Sequence, residues 1–109
     1  MPDGQRFLSG SFDSTVRVWL LNGTLENTFE LHTGAVNALV ALPDNKHALS
    51  GAIDGTITLF NVNDGAVLRL FTHHTCTVAF LVLLPDGLRF VSCSIDGTFR
   101  VAYHGLCVK

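Results

Sequence analysis

The feature that most limits what this chain can become is an internal repeat. Three stretches align without a gap: MPDGQRFLSGSFDSTVRVW, LPDNKHALSGAIDGTITLF and LPDGLRFVSCSIDGTFRVA. Pro2, Pro43 and Pro85 are 41 and 42 residues apart. The same spacing separates Ser9, Ser50 and Ser92, and also Asp13, Asp54 and Asp96. The segments between them, LHTGAVNALVAL and HHTCTVAFLVLL, align as well and bring His32 onto His74. A short unit repeated at this period cannot bury its apolar side alone. It does so against its neighbours, so the chain is expected to be a stack of like units.

Turn residues punctuate each unit. Pro43-Asp44-Asn45 and Pro85-Asp86-Gly87 suit type I turns, and Asp54-Gly55 and Asp96-Gly97 suit hairpins, where glycine tolerates positive φ. Asn22-Gly23 and Asn63-Asp64-Gly65 mark the next boundary. Between these turns lie runs rich in Val, Ile, Leu, Phe and Thr, for example residues 35–41, 47–51, 56–62 and 66–72. Nothing sustains a period of 3.6, and the turns leave no room for a three-turn helix. The cadence predicts an all-β fold of four-stranded antiparallel units. In the runs 16–20 and 56–60 apolar residues occupy both faces, so those strands are expected to lie in sheets packed on both sides.

Composition excludes several classes. With 48% apolar residues the chain is not a disordered tail. Seven Lys and Arg against nine Asp and Glu give a net charge of -2, and Arg6, Arg17, Lys46, Arg69, Arg89, Arg100 and Lys109 are scattered. No nucleic-acid surface is expected. The longest apolar run, residues 78–84, is too short to span a bilayer, so no membrane partner is expected. MPDGQRFLSG has no apolar core behind a basic start, and no secretory signal is expected. Cys76, Cys93 and Cys107 are odd in number and unpaired in spacing, which suits reduced thiols in an intracellular, cytoplasmic protein.

The period, the turn residues and the string SGS-x-D-x-T-x-x-x-W together resemble the WD-repeat β-propeller family. The match covers nearly the whole chain, with departures. Trp19-Leu20, Phe60-Asn61 and Ala102-Tyr103 stand where Trp-Asp is usual, Leu31-His32 and His73-His74 where Gly-His is usual, and Cys93 where glycine is usual. The resemblance implies that each repeat supplies the outermost strand of one blade and three strands of the next. The chain then makes a single segment, 1–109, of a partial propeller. Residues 1–30 form a partial blade, 31–72 a complete one, and 73–109 one that lacks most of its outer strand. Known propellers typically close with 4 to 8 blades. About two and a half blades are expected to belong to a longer propeller or to associate with other copies.

His32, Ser50 and Asp54 are the residue types of a hydrolase triad. Their spacing points elsewhere. His32 to Ser50 and His74 to Ser92 are each 18 residues, and Ser9 to Asp13, Ser50 to Asp54 and Ser92 to Asp96 are each 4. An active site is rarely built once per repeat, whereas a structural device is. The resemblance implies a structural hydrogen-bond network of His, Ser, Asp and Trp: Ser9, Asp13 and Trp19 in the first unit, His32, Ser50 and Asp54 in the second, and His74, Ser92 and Asp96 in the third. Trp19 has no counterpart at Phe60 or Ala102. Arg17, Thr58 and Arg100 share one slot, and a solvated or blade-bridging role is expected there. His73, His74 and Cys76 form the one metal-like cluster, without the second ligand pair a zinc site needs. No Gly-rich phosphate loop is present. No catalytic residue, metal or cofactor is expected.

By the same resemblance, partner-binding side chains sit on the narrow upper face. The matching positions are Phe12, Ile53 and Ile95 before each turn Asp, and Ala35, Asn37, Thr77 and Ala79 after each His. Large apolar residues at turns mark contact sites when they form exposed clusters. The expected function is a non-catalytic scaffold that binds protein or peptide partners. The alternative is a regulatory or spacer array attached to an enzyme domain outside this chain.

Overall fold

Carboxylates and amides end most of the strands. Asp13, Asn22, Asp54, Asn61, Asp64, Asp86 and Asp96 each accept the backbone N–H two residues on, and Asp44 accepts those of Lys46 and His47. An Asx turn of this kind reverses the chain without a backbone partner, so the β-branched and aromatic runs between the turns are left to pair with one another.

The computed structural model describes residues 5–44, 46–72, 74 and 76–103. Its strands are β1 (Arg6–Gly10), β2 (Thr15–Leu20), β3 (Leu25–Glu30), β4 (Val36–Ala41), β5 (His47–Ala52), β6 (Ile57–Asn61), β7 (Val67–Phe71), β8 (Val78–Leu83), β9 (Arg89–Ser94) and β10 (Phe99–Tyr103). They form three antiparallel sheets, β1-β2-β3, β4-β5-β6-β7 and β8-β9-β10. The register slips at matching places: between Val36 and Ala38 and between Val78 and Phe80, and again between Val18 and Trp19 and between Leu59 and Phe60. Bulges in matching slots show that the repeats share one backbone geometry, as a common sequence pattern dictates.

Two apolar clusters join the sheets. Val16 and Val18 of the first sheet meet Val36, Ala48, Phe60 and Val62 of the second. On its other side the second sheet offers Ala38, Leu49, Ile57, Leu59 and Phe71 to Val78, Leu81 and Phe90 of the third. Phe71 and Phe90 meet edge to face at 5.2 Å. Among the described residues only the second sheet is covered on both sides. In the first, Val16 and Val18 are buried, but Arg17 and Trp19 on the opposite side stay half-buried. The expectation of two packed sides for residues 16–20 is therefore corrected, because no sheet among the described residues lies behind them. Thr58 also departs from its expected solvated or bridging role. It is fully buried in β6 and its hydroxyl has no hydrogen-bond partner.

Strands β4 and β8 lie side by side, with β1 against β4 and β5 against β8, so the sheets stack about their inner strands. The β1–β2, β5–β6 and β9–β10 turns and the loops entering β4 and β8 gather at one end, the upper rim. The turns containing Asn22, Asp44, Asp64 and Asp86 lie at the other.

Candidate functional site

Two groups of residues meet near the upper rim: a chain of buried hydroxyl and imidazole groups under it, and apolar side chains on it. In the second sheet His32 enters from the loop before β4. Its Nε2 lies 2.7 Å from Ser50 Oγ and its Nδ1 2.9 Å from Thr56 Oγ1. Thr56 donates its hydroxyl to Asp54 Oδ1, which also accepts the Thr56 backbone N–H at 2.9 Å. Asp54 Oδ2 accepts the backbone N–H of Thr33 at 3.1 Å and its hydroxyl at 3.2 Å. Because the Thr56 proton is committed to the carboxylate, its oxygen must accept from Nδ1–H. Nε2 is then the acceptor for the Ser50 hydroxyl, and every proton has one place.

Charge follows this geometry. Burial holds His32 below its ordinary pKa, against the opposing pull of Asp54, which keeps the imidazole neutral. Burial works against the Asp54 carboxylate too, but the Thr56 hydroxyl, the Thr56 and Thr33 backbone donors and the neighbouring imidazole outweigh it and bring its pKa to about 2. Ser50, His32, Thr56 and Asp54 are thus joined in one hydrogen-bonded chain, and the Asp54 carboxylate also lies 3.5 Å from His32 Nδ1.

The third sheet repeats the arrangement more loosely. His74 Nε2 is 2.8 Å from Ser92 Oγ, its Nδ1 is 3.3 Å from Thr98 Oγ1, and Thr98 donates to Asp96 at 2.6 Å. In the first sheet the partner of the serine is an indole: Trp19 Nε1 donates to Ser9 Oγ at 2.8 Å. Asp13 accepts from the Thr15 backbone and hydroxyl and from Arg17 Nη2 at 3.1 Å. The threonines Thr15, Thr56 and Thr98 were not among the candidates, although each stands two residues after the turn aspartate in its repeat. That D-x-T pattern was the available signal.

On the rim, Phe12 is 94% exposed, Ile95 70% and Ile53 49%. Each sits at the start of a matching turn, β1–β2 for Phe12, β5–β6 for Ile53 and β9–β10 for Ile95. Ile53 is held down by the preceding loop: its N–H donates to Ala35 O at 3.0 Å, and a Cβ on Gly34 would lie 2.4 Å from Ile53 Cγ1. Ile95 N–H donates likewise to Thr77 O at 3.2 Å. Asn37 is exposed, and Thr77 and Ala79 are half-buried. Ala35 is buried, so its methyl offers no surface to a partner and its place in the rim set is withdrawn. A shallow cleft between the rim and the outer strands is lined by Glu30, His32, Thr33, Asp54, Thr56 and Leu70. Cys76 and Cys93 are free thiols. His73 of the metal-like set, and the tail cysteine Cys107, lie outside the described residues.

Antiparallel sheets of three or four strands, stacked side by side about their inner strands, are the blades of a β-propeller. The chain belongs to the WD40-repeat family: the family model described as "WD domain, G-beta repeat" matches residues 1–19, 23–61 and 65–101. It is similar to the small ribosomal subunit protein RACK1y of Oryza sativa subsp. japonica, with 40% identity over 68 residues, 62% of this chain and 20% of the relative. The guanine nucleotide-binding protein subunit beta of Nicotiana plumbaginifolia is 36% identical over 67 residues, 60% of this chain and 18% of the relative. The chain thus spans a fifth or less of the length of these relatives. Among solved structures, the WD40 β-propeller domain of Doa1 superposes with a TM-score of 0.85 at 35% identity, over 94% of this chain and 34% of that one. The fold is an open, incomplete propeller. No helix among the described residues is long and apolar enough to cross a membrane.

Proposed function

We propose that the chain is a non-catalytic, intracellular scaffold segment that binds a protein or peptide through its upper rim, with residues 1–30, 31–72 and 73–109 as its three repeat units. The observation that carries this is the exposure of Phe12 and Ile95, two large apolar side chains in one repeated slot, with Ile53 half-exposed between them. Apolar side chains held on tight turns are rigid and need little ordering on contact, which is what anchors of an interface require. Asn37, Thr77 and Ala79 border them and would supply the polar rim. The relatives named as subunits of a ribosome and of a guanine nucleotide-binding protein support a role within assemblies.

The test is selection of a displayed peptide library on the 109-residue chain, followed by binding to Phe12→Lys and Ile95→Lys. Both positions are exposed, so thermal stability is expected to change by no more than about 0.5 kcal/mol. Selected peptides are expected to lose binding to both variants. Peptides that bind the variants as well as the parent chain would remove the rim from the proposal.

A further inference from the structure

The cleft beside the upper rim is walled by two neighbouring sheets and has a volume of about 590 Å³. Glu30, the last residue of β3, and Leu31 after it form the wall on the side of the first sheet. Thr33, Asp54, Thr56 and Leu70 form the other, from the second sheet and its loops. Two of these side chains depart from the repeat. Residues 25–34 align with 67–76, which brings Phe29 onto Phe71 and His32 onto His74. In that alignment Glu30 falls on Thr72, and Leu70 on Thr28. Neither the acid nor the leucine is needed to build a blade, yet the fold brings both to one cleft. Leu70 is 59% exposed there, and Glu30 is exposed beside it. An exposed acid alone is an ordinary solvated side chain. In a concave site with an apolar wall, it fixes the kind of group that fits.

The two carboxylates differ in what they can accept. Asp54 Oδ1 takes the backbone N–H and hydroxyl of Thr56, and Oδ2 takes those of Thr33. Asp54 therefore gives the cleft its charge but little room for a further donor. The neighbouring His32 is neutral and does not cancel that charge. No lysine or arginine lines the cleft among the described residues, and none of them bonds to the Glu30 carboxylate. Its oxygens are open. A bare metal ion would have to displace the Thr33 and Thr56 donors from Asp54. A purely apolar side chain would strip water from both carboxylates and return nothing for it. A guanidinium meets both demands. Its planar fork pairs with an open carboxylate through two hydrogen bonds, and its methylene stem lies along apolar groups.

We infer that the cleft between the first and second sheets receives an arginine side chain of a protein partner, with the guanidinium on Glu30 and the stem along Leu31 and Leu70. Asp54 draws the cation in by its charge without bonding to it. The apolar rim of Phe12, Ile53 and Ile95 takes no part in this contact.

Nuclear magnetic resonance titration of the 109-residue chain tests this, with N-acetyl-arginyl-leucinamide as the probe. The same dipeptide with citrulline, neutral and nearly the same shape, is the control. The backbone amides of Thr33 and Thr56 are expected to shift in a saturable way with the arginine probe. Citrulline in place of arginine, or Glu30→Gln in the chain, is expected to weaken binding on the order of tenfold. Glu30 is exposed, so E30Q keeps the fold, which its amide spectrum reports. Leu70→Thr restores the residue of the matching slot in the first repeat and is expected to weaken binding by a smaller factor. Ile95→Lys, on the rim, is expected to leave the affinity unchanged, so failure of the rim as a contact surface would not carry the cleft with it. The inference is overturned by a lack of saturable shifts at the cleft, or by equal binding of the citrulline probe. It is also overturned by folded E30Q or L70T that binds as tightly as the parent chain, or by binding lost in I95K, which would move the probe to the rim.

Discussion

His32 Nε2 and Ser50 Oγ lie 2.7 Å apart at the buried end of a hydrogen-bonded chain that runs through Thr56 to Asp54 near the surface. Each link fixes the next: the carboxylate orients the threonine proton, the threonine oxygen fixes the imidazole tautomer, and the free imidazole nitrogen takes the serine proton. The loop that carries His32 is thereby tied to the two middle strands of its sheet.

Asp54→Ala removes the acceptor for the backbone and hydroxyl groups of both Thr56 and Thr33. The expected loss of stability is about 1–3 kcal/mol, most of it from the less exposed Thr56 bonds. Asp54→Asn keeps one carbonyl oxygen and is expected to lose less. Thermal melts of the three chains give the order. Ester hydrolysis with a burst that disappears in Ser50→Ala would show instead that the chain of protons serves chemistry.

The same groups predict two steps in acid. Burial keeps the folded His32 pKa below its ordinary value. The unfolded state therefore takes up a proton first, and stability present at neutral pH is lost as pH falls below about 6.5. The loss stops once the folded imidazole is also protonated. A second loss comes from Asp54 as pH falls from 3.8 towards about 2, where the folded carboxylate gains its proton. Urea midpoints across this range are expected to show both steps, and His32→Gln to remove the first while keeping the second.

Much of the fold could be read from the chain because two devices repeat in it. Asx and Gly turns set the strand ends: β4, β6 and β7 lie within the expected runs 35–41, 56–62 and 66–72, and β5 passes the end of the run 47–51 by one residue, Ala52. What the sequence did not reveal depends on neighbours rather than on the unit itself. Residues 16–20 and 56–60 have the same pattern, yet among the described residues only the second sheet has a sheet on each side. Thr58 is aligned with Arg17 and Arg100 but is buried, because its sheet is the covered one. Ala35 lies at a rim position, but its carbonyl is bonded to Ile53 and its side chain turns inward. The polar chain was half legible: the periodic Ser, His and Asp pointed to it, while the threonine that links imidazole to carboxylate was passed over as strand-forming residue.

Glycines that look alike in the sequence are expected to behave differently. Gly55 and Gly97 occupy the same turn position, with φ of 81° and 88°. Alanine at either must adopt the left-handed region, at a cost of about 1 kcal/mol. Nothing lies within 4 Å of a Cβ on Gly97, but one on Gly55 would lie 2.5 Å from the carbonyl oxygen of His74. A carbonyl in the loop to the next sheet cannot move aside as a side chain does. Gly55→Ala is expected to lose about 1–3 kcal/mol more than Gly97→Ala. Equal losses would show that the loop shifts freely and that the second and third sheets are not fixed to each other there.

The third member of that set supplies the converse. Ser14 stands in the first repeat where Gly55 and Gly97 stand in the others, and it adopts the same conformation, with φ of 74°. It is the one non-glycine residue with positive φ among those described. Its backbone N–H donates to Ser11 O at 3.3 Å, so the turn is closed despite the strain on its Cβ. Ser14→Gly relieves that strain, about 1 kcal/mol, while the greater freedom of glycine in the unfolded chain offsets roughly half of it. A net gain of about 0.5 kcal/mol raises the melting temperature of a chain this size by roughly 2–4 °C. A lower melting temperature would mean that the serine hydroxyl contributes more to the turn than its backbone costs. Ser14→Ala separates the two effects, since it keeps the strain and removes only the hydroxyl. It is expected to melt within a degree or so of the parent chain.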